Sequence, residues 1–442
     1  RRNRSCICIQ KHSRIIALFI PFRFSTQRII MPDIYPELTS LTIQLPRSKS
    51  ILIRKLIIGF LYENKIGDIT SEDAADVHIV HRNLQLIALR QSPKKIAETR
   101  IDVEDCGTAF RFLMALLAVT EGNWFLCGTE RLLSRPIAPL MKALQNIGAE
   151  IIQTESGFRI HGKEITASEI NIEGGLSSQW VSALLLIAGK IKLNKLILTS
   201  PVFSYPYLDL TCTLLTQSGF HIEKKANTYS FTHDNLTINS AVIKEESDWS
   251  AAAFWYAVAT LFPDKKIVLQ GLSLTDLQGD TIVAEWFRIL GIDSLETKSG
   301  ITLYRFKQNL SQPITFDLSA HPDISLILAV LAVLLPFDVV LNGLNSLNLK
   351  ESDRLTILSE KLSSFAPVEL QNNSQLFVKG TSRQIDKNRT LYFDSYGDHR
   401  LVMAFSLFSF FYSTKITHPE CVKKSYPNFW QDVEKFRLLI YE

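Results

Sequence analysis

The sequence predicts an α/β protein of two or three domains, assembled from a repeated unit. Three observations support this: the length of 442 residues, an apolar helical stretch that recurs along the chain, and short β-rich segments between these stretches. A chain of this length exceeds what one ordinary hydrophobic core organises. Hydrophobic residues are 46% and charged residues 21% of the chain. These fractions are typical of globular proteins and argue against a disordered or collagen-like chain.

Six apolar stretches of helical length each follow a small or acidic polar residue. Ser, Thr and Asp cap helix N-termini by accepting a free backbone N–H, and a helix that is apolar all round is buried. The intervals between the six positions are 60, 70, 70, 75 and 75 residues. This regularity predicts six buried helices in a repeated unit. The expected caps are Ser48, Thr108, Ser178, Asp248, Asp323 and Asp398.

Further elements fill the intervals between these helices. Amphipathic stretches end near Gly148, Gly219 and Gly291, as expected where glycine follows a helix C-terminus. The segments KLILTS, KIVLQGL and DVVLNGL predict strands. The apolar run 324–337 is shorter than the roughly 20 residues that span a bilayer, so it predicts a buried helix. Six cysteines without a CxxC pair or a zinc-like Cys/His cluster indicate no disulfide framework, no structural metal and a reducing cytoplasm.

Residues 1–30 differ from the rest of the chain in charge. They hold seven basic residues and no acidic one, and Met31 is the first methionine. An Arg-rich leader without acidic residues is typical of an organelle targeting peptide, but translated sequence upstream of a start at Met31 explains it more simply. We therefore expect residues 1–30 to lie outside the fold. The whole chain has a formal charge of +4, whereas the remainder has 41 basic and 44 acidic residues.

A near-neutral chain has no broadly basic surface for nucleic acid, so any anion site must be local. Basic residues nevertheless lie beside the predicted helix starts, where the helix N-terminus attracts phosphate or carboxylate. This pattern favours an anion-binding cleft over ordinary solvated surface charge. The basic residues concerned are Lys49, Arg54, Arg111, Arg131, Arg135, Lys350, Arg354, Arg400 and Lys424.

Three carboxylates lie among these cations. For Asp398 we expect a capping or ion-pair role. Asp323 and Glu351 are the candidates for proton transfer, since chemistry on an anionic substrate still needs an acid and a base. Glu351 and Arg354 share a face if the segment LKESDRLTILSEKL is helical.

Motifs along nearly the whole chain after Met31 resemble those of the 5-enolpyruvylshikimate-3-phosphate synthase family. They include LPRSKSILIR, DCGTAFRFLMALLA, GTERLLSRPIAPL, GGLSSQWVSALLL, HPDISL, LKESDRL and YGDHRLVMAFSL, in this order. The resemblance implies an inside-out α/β barrel of two domains, with three βαβαββ units in each. It implies a discontinuous first domain (31–47 plus 246–442, on the phosphoenolpyruvate side) and an inserted second domain (48–245, on the shikimate 3-phosphate side).

The resemblance also implies an activity: transfer of the enolpyruvyl group of phosphoenolpyruvate to the 5-hydroxyl of shikimate 3-phosphate, through a tetrahedral intermediate and without a cofactor or metal. The implied catalytic residues are Asp323, Glu351 and Lys49. The implied shikimate 3-phosphate contacts are Lys49, Ser50, Arg54, Ser177, Ser178, Gln179, Ser204, Asp323 and Lys350. The implied phosphoenolpyruvate contacts are Lys49, Gly107, Arg131, Gln179, Arg354, Arg400 and Lys424. A cytoplasmic monomer that binds neither nucleic acid nor membrane is expected.

Four positions depart from the family pattern: Arg47 where a small residue is usual, Ile53 and Ser346 where Asn is usual, and Tyr205 where a basic residue is common. They leave open a catalytically silent paralogue that only binds anions or partners, although Asp323, Glu351 and Lys49 are all present. A second alternative is the sister UDP-N-acetylglucosamine enolpyruvyl transferase. It is disfavoured because Glu130 stands where that enzyme has a reactive cysteine.

Overall fold

The computed structural model describes residues 40–90, 97–175, 177–233, 237–306, 313–381 and 389–441. The basic segment 1–30 lies outside these described residues. The helices are α1 (Lys49–Ile58), α2 (Ala75–Arg90), α3 (Gly107–Ala118), α4 (Glu130–Leu133), α5 (Ala138–Asn146), α6 (Ser178–Ile187), α7 (Pro206–Gln217), α8 (Trp249–Leu261), α9 (Val283–Ile289), α10 (Ser325–Val333), α11 (Arg354–Leu362), α12 (His399–Ser406) and α13 (Phe429–Tyr441).

The strands are short, each of four to six residues. They are β1 (Ser40–Gln44), β2 (Thr99–Asp102), β3 (Gly122–Cys127), β4 (Glu150–Thr154), β5 (Gly157–Gly162), β6 (Glu169–Ile172), β7 (Lys195–Leu198), β8 (His221–Lys225), β9 (Thr228–Thr232), β10 (Lys266–Gln270), β11 (Ile292–Thr297), β12 (Gly300–Arg305), β13 (Ile314–Asp317), β14 (Val339–Asn342), β15 (Val368–Gln371), β16 (Gln375–Val378), β17 (Thr390–Phe393) and β18 (Ser413–Ile416).

Among the residues that the structure describes, four mixed sheets repeat one strand order. In the sheets β2-β3-β5-β4, β6-β7-β9-β8, β13-β14-β16-β15 and β1-β10-β12-β11, the first two strands are parallel and the last two pair antiparallel. A parallel pair needs a crossover, and a buried helix supplies it in three of them: α3, α6 and α10. The fifth sheet is the parallel pair β17-β18 with α12 as its crossover. The structure thus confirms a mixed α/β fold built from repeats.

Within the described ranges, buried apolar residues form two clusters. The first core takes its residues from positions 43, 45 and 249–436, and the second core from positions 51–243. The six predicted helices are strongly buried: in α3 every residue except Thr108 is buried, and in α10 every residue is. Three are in each core: α1, α3 and α6 in the second, and α8, α10 and α12 in the first.

The chain passes between the two cores through two short segments that pair with each other. Ser48 N donates to Glu246 O at 2.7 Å, and Asp248 N donates to Pro46 O at 2.9 Å. An antiparallel bridge joins Arg47 to Ser247 between them. The two connections therefore form a narrow double strand at one place in the molecule.

The predicted helix starts are correct to within two residues, and three of the six caps differ. Asp248 and Asp398 cap α8 and α12 as predicted, each accepting a backbone N–H two residues on. The expected cap Thr108 is wrong, because α3 starts two residues earlier and Cys106 Sγ accepts from Ala109 N at 3.3 Å.

The cap of α6 is likewise Ser177 instead of Ser178, with Ser177 Oγ accepting from Gln179 N. Asp323 does not cap α10, since Ile324 occupies the cap position and makes no side-chain capping bond. Ser48 is at the predicted position before α1, but its side chain makes no capping bond. Three glycines were predicted to follow helix ends. Gly148, Gly219 and Gly291 have positive φ values of 98°, 116° and 87°, the backbone conformation that glycine favours just after a helix C-terminus.

Candidate functional site

A cleft lined from both cores is built largely from the first turns of helices. The second core contributes the N-termini of α1, α3 and α6, and the first core those of α11 and α12. Free N–H groups and the positive end of the helix dipole make such positions favourable for anions. The lining residues are Lys49, Ser50, Arg54, Asp76, Gly107, Thr108, Arg111, Arg135, Pro136, Ser177, Ser178, Gln179, Trp180, Ser204, Tyr207, Asp323, Ser346, Leu349, Lys350, Glu351, Arg354 and His399.

The structure brings the two predicted residue sets together to different extents. All nine residues that the resemblance assigns to shikimate 3-phosphate line the cleft, as do the three implied catalytic residues. Of the seven assigned to phosphoenolpyruvate, four line it: Lys49, Gly107, Gln179 and Arg354. The remaining three are Arg131, Arg400 and Lys424.

Lys49 occupies the first position of α1, beside the connection between the cores. Its Nζ lies 2.9 Å from Asp76 Oδ2, in the first turn of α2. The Asp76 side chain is 3% exposed, so this carboxylate stays with the ammonium and fixes its place in the cleft wall.

Arg54, one turn further along α1, lines the cleft, and its guanidinium makes hydrogen bonds within the protein. Its Nε donates to Thr211 Oγ1 at 2.7 Å and its Nη1 to Ser50 O at 2.8 Å. The guanidinium carbon lies 5.1 Å from the centre of the Phe112 ring. Burial lowers the pKa of Arg54 to about 10, so the group remains charged at neutral pH.

The N-termini of α3 and α6 are joined across the cleft floor. Gln179 Nε2 donates to Thr108 Oγ1 at 3.1 Å, which links the first turns of the two helices. Ser204 lies nearby with φ of 60° and is buried. These hydroxyl and amide groups around a helix start are suited to a phosphate group.

The start of α3 is crowded by two arginines. A Cβ placed on Gly107 would lie 2.7 Å from Arg135 Nη1 and 2.8 Å from Arg111 Nη1. Arg111 Nη1 also donates to Gly107 O at 2.8 Å. Burial, followed by the neighbouring Arg135, lowers the pKa of Arg111 to about 9. Glycine at this position lets both guanidinium groups approach the backbone.

Arg354, at the start of α11, is the centre of the acidic groups on the opposite wall. Its side chain is 1% exposed. Its Nε and Nη2 donate to the two oxygens of Asp398 at 2.8 and 3.1 Å, and Nη2 also donates to Glu351 Oε2 at 2.8 Å. Burial, which would lower the pKa of Arg354, is outweighed by Asp398 and Glu351, so its pKa is raised.

Asp323 faces the cleft from just before α10. Its Oδ1 lies 3.4 Å from Arg354 Nη1 and 3.9 Å from Lys350 Nζ, and its Oδ2 lies 3.4 Å from Arg400 Nη2. Tyr207 OH donates to Oδ2 at 3.5 Å from the second-core side. Burial would raise the pKa of Asp323, but these three cations outweigh it and hold the pKa well below its usual range. Asp323 is therefore an ionised acceptor.

Glu351 lies in a bend before α11, so the predicted helix does not extend to it. Arg354 is nevertheless within reach, and Arg135 Nη1 approaches Glu351 Oε1 to 3.5 Å from the opposite wall. Burial opposes ionisation of Glu351, but Arg354, Arg135 and Lys424 lower its pKa well below the usual value. Glu351 is also ionised before any substrate binds.

Three residues assigned to phosphoenolpyruvate do not line the cleft. The side chain of Arg131 is exposed, and Arg135, four residues later, takes the cleft position instead. Arg400 is buried behind Asp323. Lys424 is buried, and its Nζ bonds Asp105 Oδ2 at 2.8 Å.

Residues that the sequence did not assign to a substrate also line the cleft. Tyr207 is one, and Arg111 and Arg135 were predicted only as general anion-site cations. His399 is buried, and neither of its ring nitrogens has a hydrogen-bond partner within the described part of the chain. Burial, then Lys49 and Arg400, lower the pKa of His399 well below its usual value, so the ring is neutral. Its position next to Arg400 in the YGDHR motif was the available signal.

The four unusual positions have distinct surroundings. Arg47 pairs with Asp73 and Glu245 at the connection between the cores. Ile53 is fully buried in α1, and Tyr205 is 54% exposed. Ser346 lines the cleft with its Oγ unpartnered among the described residues.

The described residues contain neither a cluster suited to a metal ion nor a helix suited to a membrane. Within the described ranges, no group of three or more His, Cys, Asp or Glu side chains is arranged to hold a metal ion. None of the helices that the structure describes is both long and apolar enough to cross a membrane. Of the six cysteines, Cys106, Cys127, Cys212 and Cys421 are described, and all four are free thiols.

Comparison with known proteins gives one consistent result. Residues 40–433 match the family model for EPSP synthase (3-phosphoshikimate 1-carboxyvinyltransferase). The 3-phosphoshikimate 1-carboxyvinyltransferase of Bacteroides fragilis (strain YCH46) is 35% identical over 410 residues, which cover 90% of this chain and 96% of the relative.

Two solved structures share the fold. EPSP synthase from Acinetobacter baumannii has a TM-score of 0.67 at 20% identity, over 90% of this chain and 96% of that one. The enolpyruvyl transferase NikO from Streptomyces tendae has a TM-score of 0.66 at 13% identity, over 90% and 95%. With the family match covering nearly every described residue and the relative at 35% identity, the chain belongs to the EPSP synthase family.

Proposed function

We propose that this protein transfers the enolpyruvyl group of phosphoenolpyruvate to the 5-hydroxyl of shikimate 3-phosphate and releases phosphate. The observation that carries the proposal is the pair of ionised carboxylates, Asp323 and Glu351, held among cations in a cleft lined by helix N-termini from both cores. Cations and helix N-termini suit two phosphorylated substrates. Ionised carboxylates beside them supply the acceptors that proton transfer requires.

The two walls divide the binding roles. On the second-core wall, Ser50, Ser177, Ser178 and Gln179 offer hydroxyl and amide groups at the starts of α1 and α6, where the phosphate of shikimate 3-phosphate would gain from the helix dipoles. For phosphoenolpyruvate, Arg354 and the start of α3 at Gly107 face the same space. Arg135 is the second-core arginine that completes this part of the cleft.

The chemistry needs one proton removed from oxygen and one delivered to carbon. Asp323 is suited to accept the proton of the attacking hydroxyl, because it faces the cleft and is ionised. The oxygen then adds to the enol carbon while Lys49 protonates the methylene carbon. In the elimination step, Glu351 takes a proton from the methyl group, and the carbon–oxygen bond to phosphate breaks. Positioned acids and bases contribute roughly 10²- to 10⁴-fold to such steps.

We also propose that the first core belongs to the predicted domain 31–47 plus 246–442, and the second core to the inserted domain 48–245. Several contacts cross the cleft between them, including Arg135 to Glu351 and Tyr207 to Asp323. Movement of one domain toward the other on substrate binding would exclude water from the reacting groups. The paired connections at residues 46–48 and 246–248 are the hinge in this proposal.

The decisive experiment measures phosphate release by the purified protein in the presence of both substrates, with each substrate omitted in turn. Turnover is expected only with both. Asp323→Asn should lower kcat by about 10²- to 10⁴-fold while calorimetric binding of shikimate 3-phosphate persists. The matched control is Asp317→Asn, which removes an exposed carboxylate from β13 and should leave kcat unchanged.

Each alternative predicts a different result. Tight binding of shikimate 3-phosphate without phosphate release from the wild-type protein would favour the catalytically silent paralogue. Phosphate release with UDP-N-acetylglucosamine, but not with shikimate 3-phosphate, would favour the sister transferase. A monomeric state, a cytoplasmic location, and the absence of nucleic-acid and membrane binding stay predictions from the sequence.

A further inference from the structure

We propose that Asp105 is a specificity-determining residue: it holds the ammonium of Lys424 while the cleft is empty, and an anionic substrate must displace it. The inference rests on the proposed function and on the phosphoenolpyruvate contact that the family resemblance implies for Lys424. Asp105 would then set how tightly the enzyme binds this anion and how well inorganic phosphate competes with it.

The pair joins a segment of the first core to a segment of the second core. Lys424 ends the short helix Pro419–Lys424, which packs on the first core, whereas Asp105 precedes α3 of the second core. Lys424 Nζ lies 2.8 Å from Asp105 Oδ2 and 2.9 Å from Asp105 O. The ammonium therefore has both a side-chain and a backbone acceptor at the same residue.

The two partners differ in exposure. The Lys424 side chain is 7% exposed and the Asp105 side chain 51%. A buried ammonium needs an acceptor, because leaving a buried charge unpaired is strongly unfavourable. A half-exposed carboxylate is hydrated as soon as it is released. Of the two groups, Asp105 is thus the one that an incoming phosphate or carboxylate oxygen can replace.

Lys49 and Arg354, which line the cleft, have partners of a different kind. Lys49 is bound to Asp76, whose side chain is 3% exposed, and Arg354 is bound to Asp398, whose side chain is 0% exposed. Those carboxylates are enclosed by protein and cannot turn into water without leaving a charge unpaired. Asp76 and Asp398 therefore stay paired with their cations, whereas the Asp105 side chain can turn away into solvent.

The surroundings of Lys424 keep it charged for this exchange. Burial would lower the pKa of Lys424, but Asp76, Glu351 and Asp105 outweigh burial and raise it. With Asp105 displaced, the substrate anion would bind an ammonium that still has the Asp105 carbonyl as a second acceptor. The exchange replaces one anion by another and leaves the buried cation paired throughout.

The test is Asp105→Asn, an isosteric change that keeps the backbone acceptor. KM for phosphoenolpyruvate should fall about fivefold, the value of a partly exposed ion pair, and the inhibition constant of inorganic phosphate should fall in parallel. The values of kcat and KM for shikimate 3-phosphate should not change. An unchanged KM for phosphoenolpyruvate would overturn the proposal. A raised KM would also overturn it, because Asp105 would then position Lys424 for the substrate.

Glu104→Gln is the matched control. It removes one charge one residue earlier, from a carboxylate that pairs with the exposed Arg82 at 3.0 Å. KM should not change in this variant, and an equal fall would assign the effect to the general field of the protein. Phosphate binding measured by calorimetry needs no turnover. If the wild-type protein does not release phosphate, the proposed function fails, while tighter phosphate binding by Asp105→Asn would still support the exchange and unaltered binding would refute it.

Discussion

Replacing Asp398 with asparagine should destabilise the protein strongly, because this buried carboxylate accepts four hydrogen bonds. Oδ2 accepts from Ser352 Oγ at 2.9 Å and Arg354 Nε at 2.8 Å, and Oδ1 accepts from Arg354 Nη2 at 3.1 Å and Arg400 N at 3.0 Å. Whichever way the asparagine amide turns, its NH₂ group faces an arginine donor. Two charge-assisted bonds at about 1.5–3 kcal/mol each would be lost.

This sum agrees with the roughly 3–5 kcal/mol that breaking a buried ion pair costs. Natural proteins are stable by only about 5–15 kcal/mol, so the unfolding midpoint in urea should fall markedly. Urea titration followed by tryptophan fluorescence measures it, since Trp249 and Trp255 are buried in the first core. Wild type and variant must show the same dependence of unfolding free energy on urea for the two midpoints to be compared.

Asp209→Asn provides the comparison for this measurement. Asp209 Oδ1 lies 2.8 Å from Lys224 Nζ, the same distance as in the Asp398 pair, but both side chains are more than 40% exposed. Solvent screening should limit its cost to less than about 1 kcal/mol. Equal losses in the two variants, or a loss below about 1 kcal/mol for Asp398→Asn, would refute the reasoning from burial.

Three further outcomes follow from the cleft geometry. Gly107→Ala should raise KM for phosphoenolpyruvate by about tenfold, since the new methyl group displaces Arg135. The unfolding free energy should change by less than about 1 kcal/mol, because the end of the flexible arginine side chain can move. A larger loss of stability would contradict this reasoning. Arg135→Ala should raise the same KM more than Arg131→Ala, and the reverse order in steady-state kinetics would show that the exposed arginine binds the substrate. Because the pKa of His399 lies well below its usual value, its ring NMR signals should not shift between pH 8 and about pH 6. A shift of the His399 signals in this range would contradict its neutral state.

The repeat and its helices were predictable because they depend on local sequence. A run of apolar residues after a polar one determines a buried helix, and Asp248 and Asp398 cap their helices as the pattern indicates. The exact caps were less predictable, since Thr108 and Ser178 each have a competing residue just before them. In the structure, Cys106 caps α3 and Ser177 caps α6.

The pairing between distant residues could not be read from the sequence. Lys49 and Asp76 are 27 residues apart, and Lys424 and Asp105 are 319 apart. Such pairs depend on how whole units pack, and no local pattern specifies this. The choice between Arg131 and Arg135 has the same origin. Both lie in one motif, Arg131 within α4 and Arg135 just after it, and only Arg135 lines the cleft.

The paired connections at residues 46–48 and 246–248 have a consequence for how this chain tolerates rearrangement. Because Ser48 N and Glu246 O are 2.7 Å apart, the stretch that builds the second core begins and ends at neighbouring points. Joining those points with a short linker would cost little loop-closure entropy. The second-core stretch should therefore keep its internal packing when its two ends are joined and the chain is opened elsewhere within it as a circular permutant. The same stretch should also keep its packing when it is grafted into another scaffold.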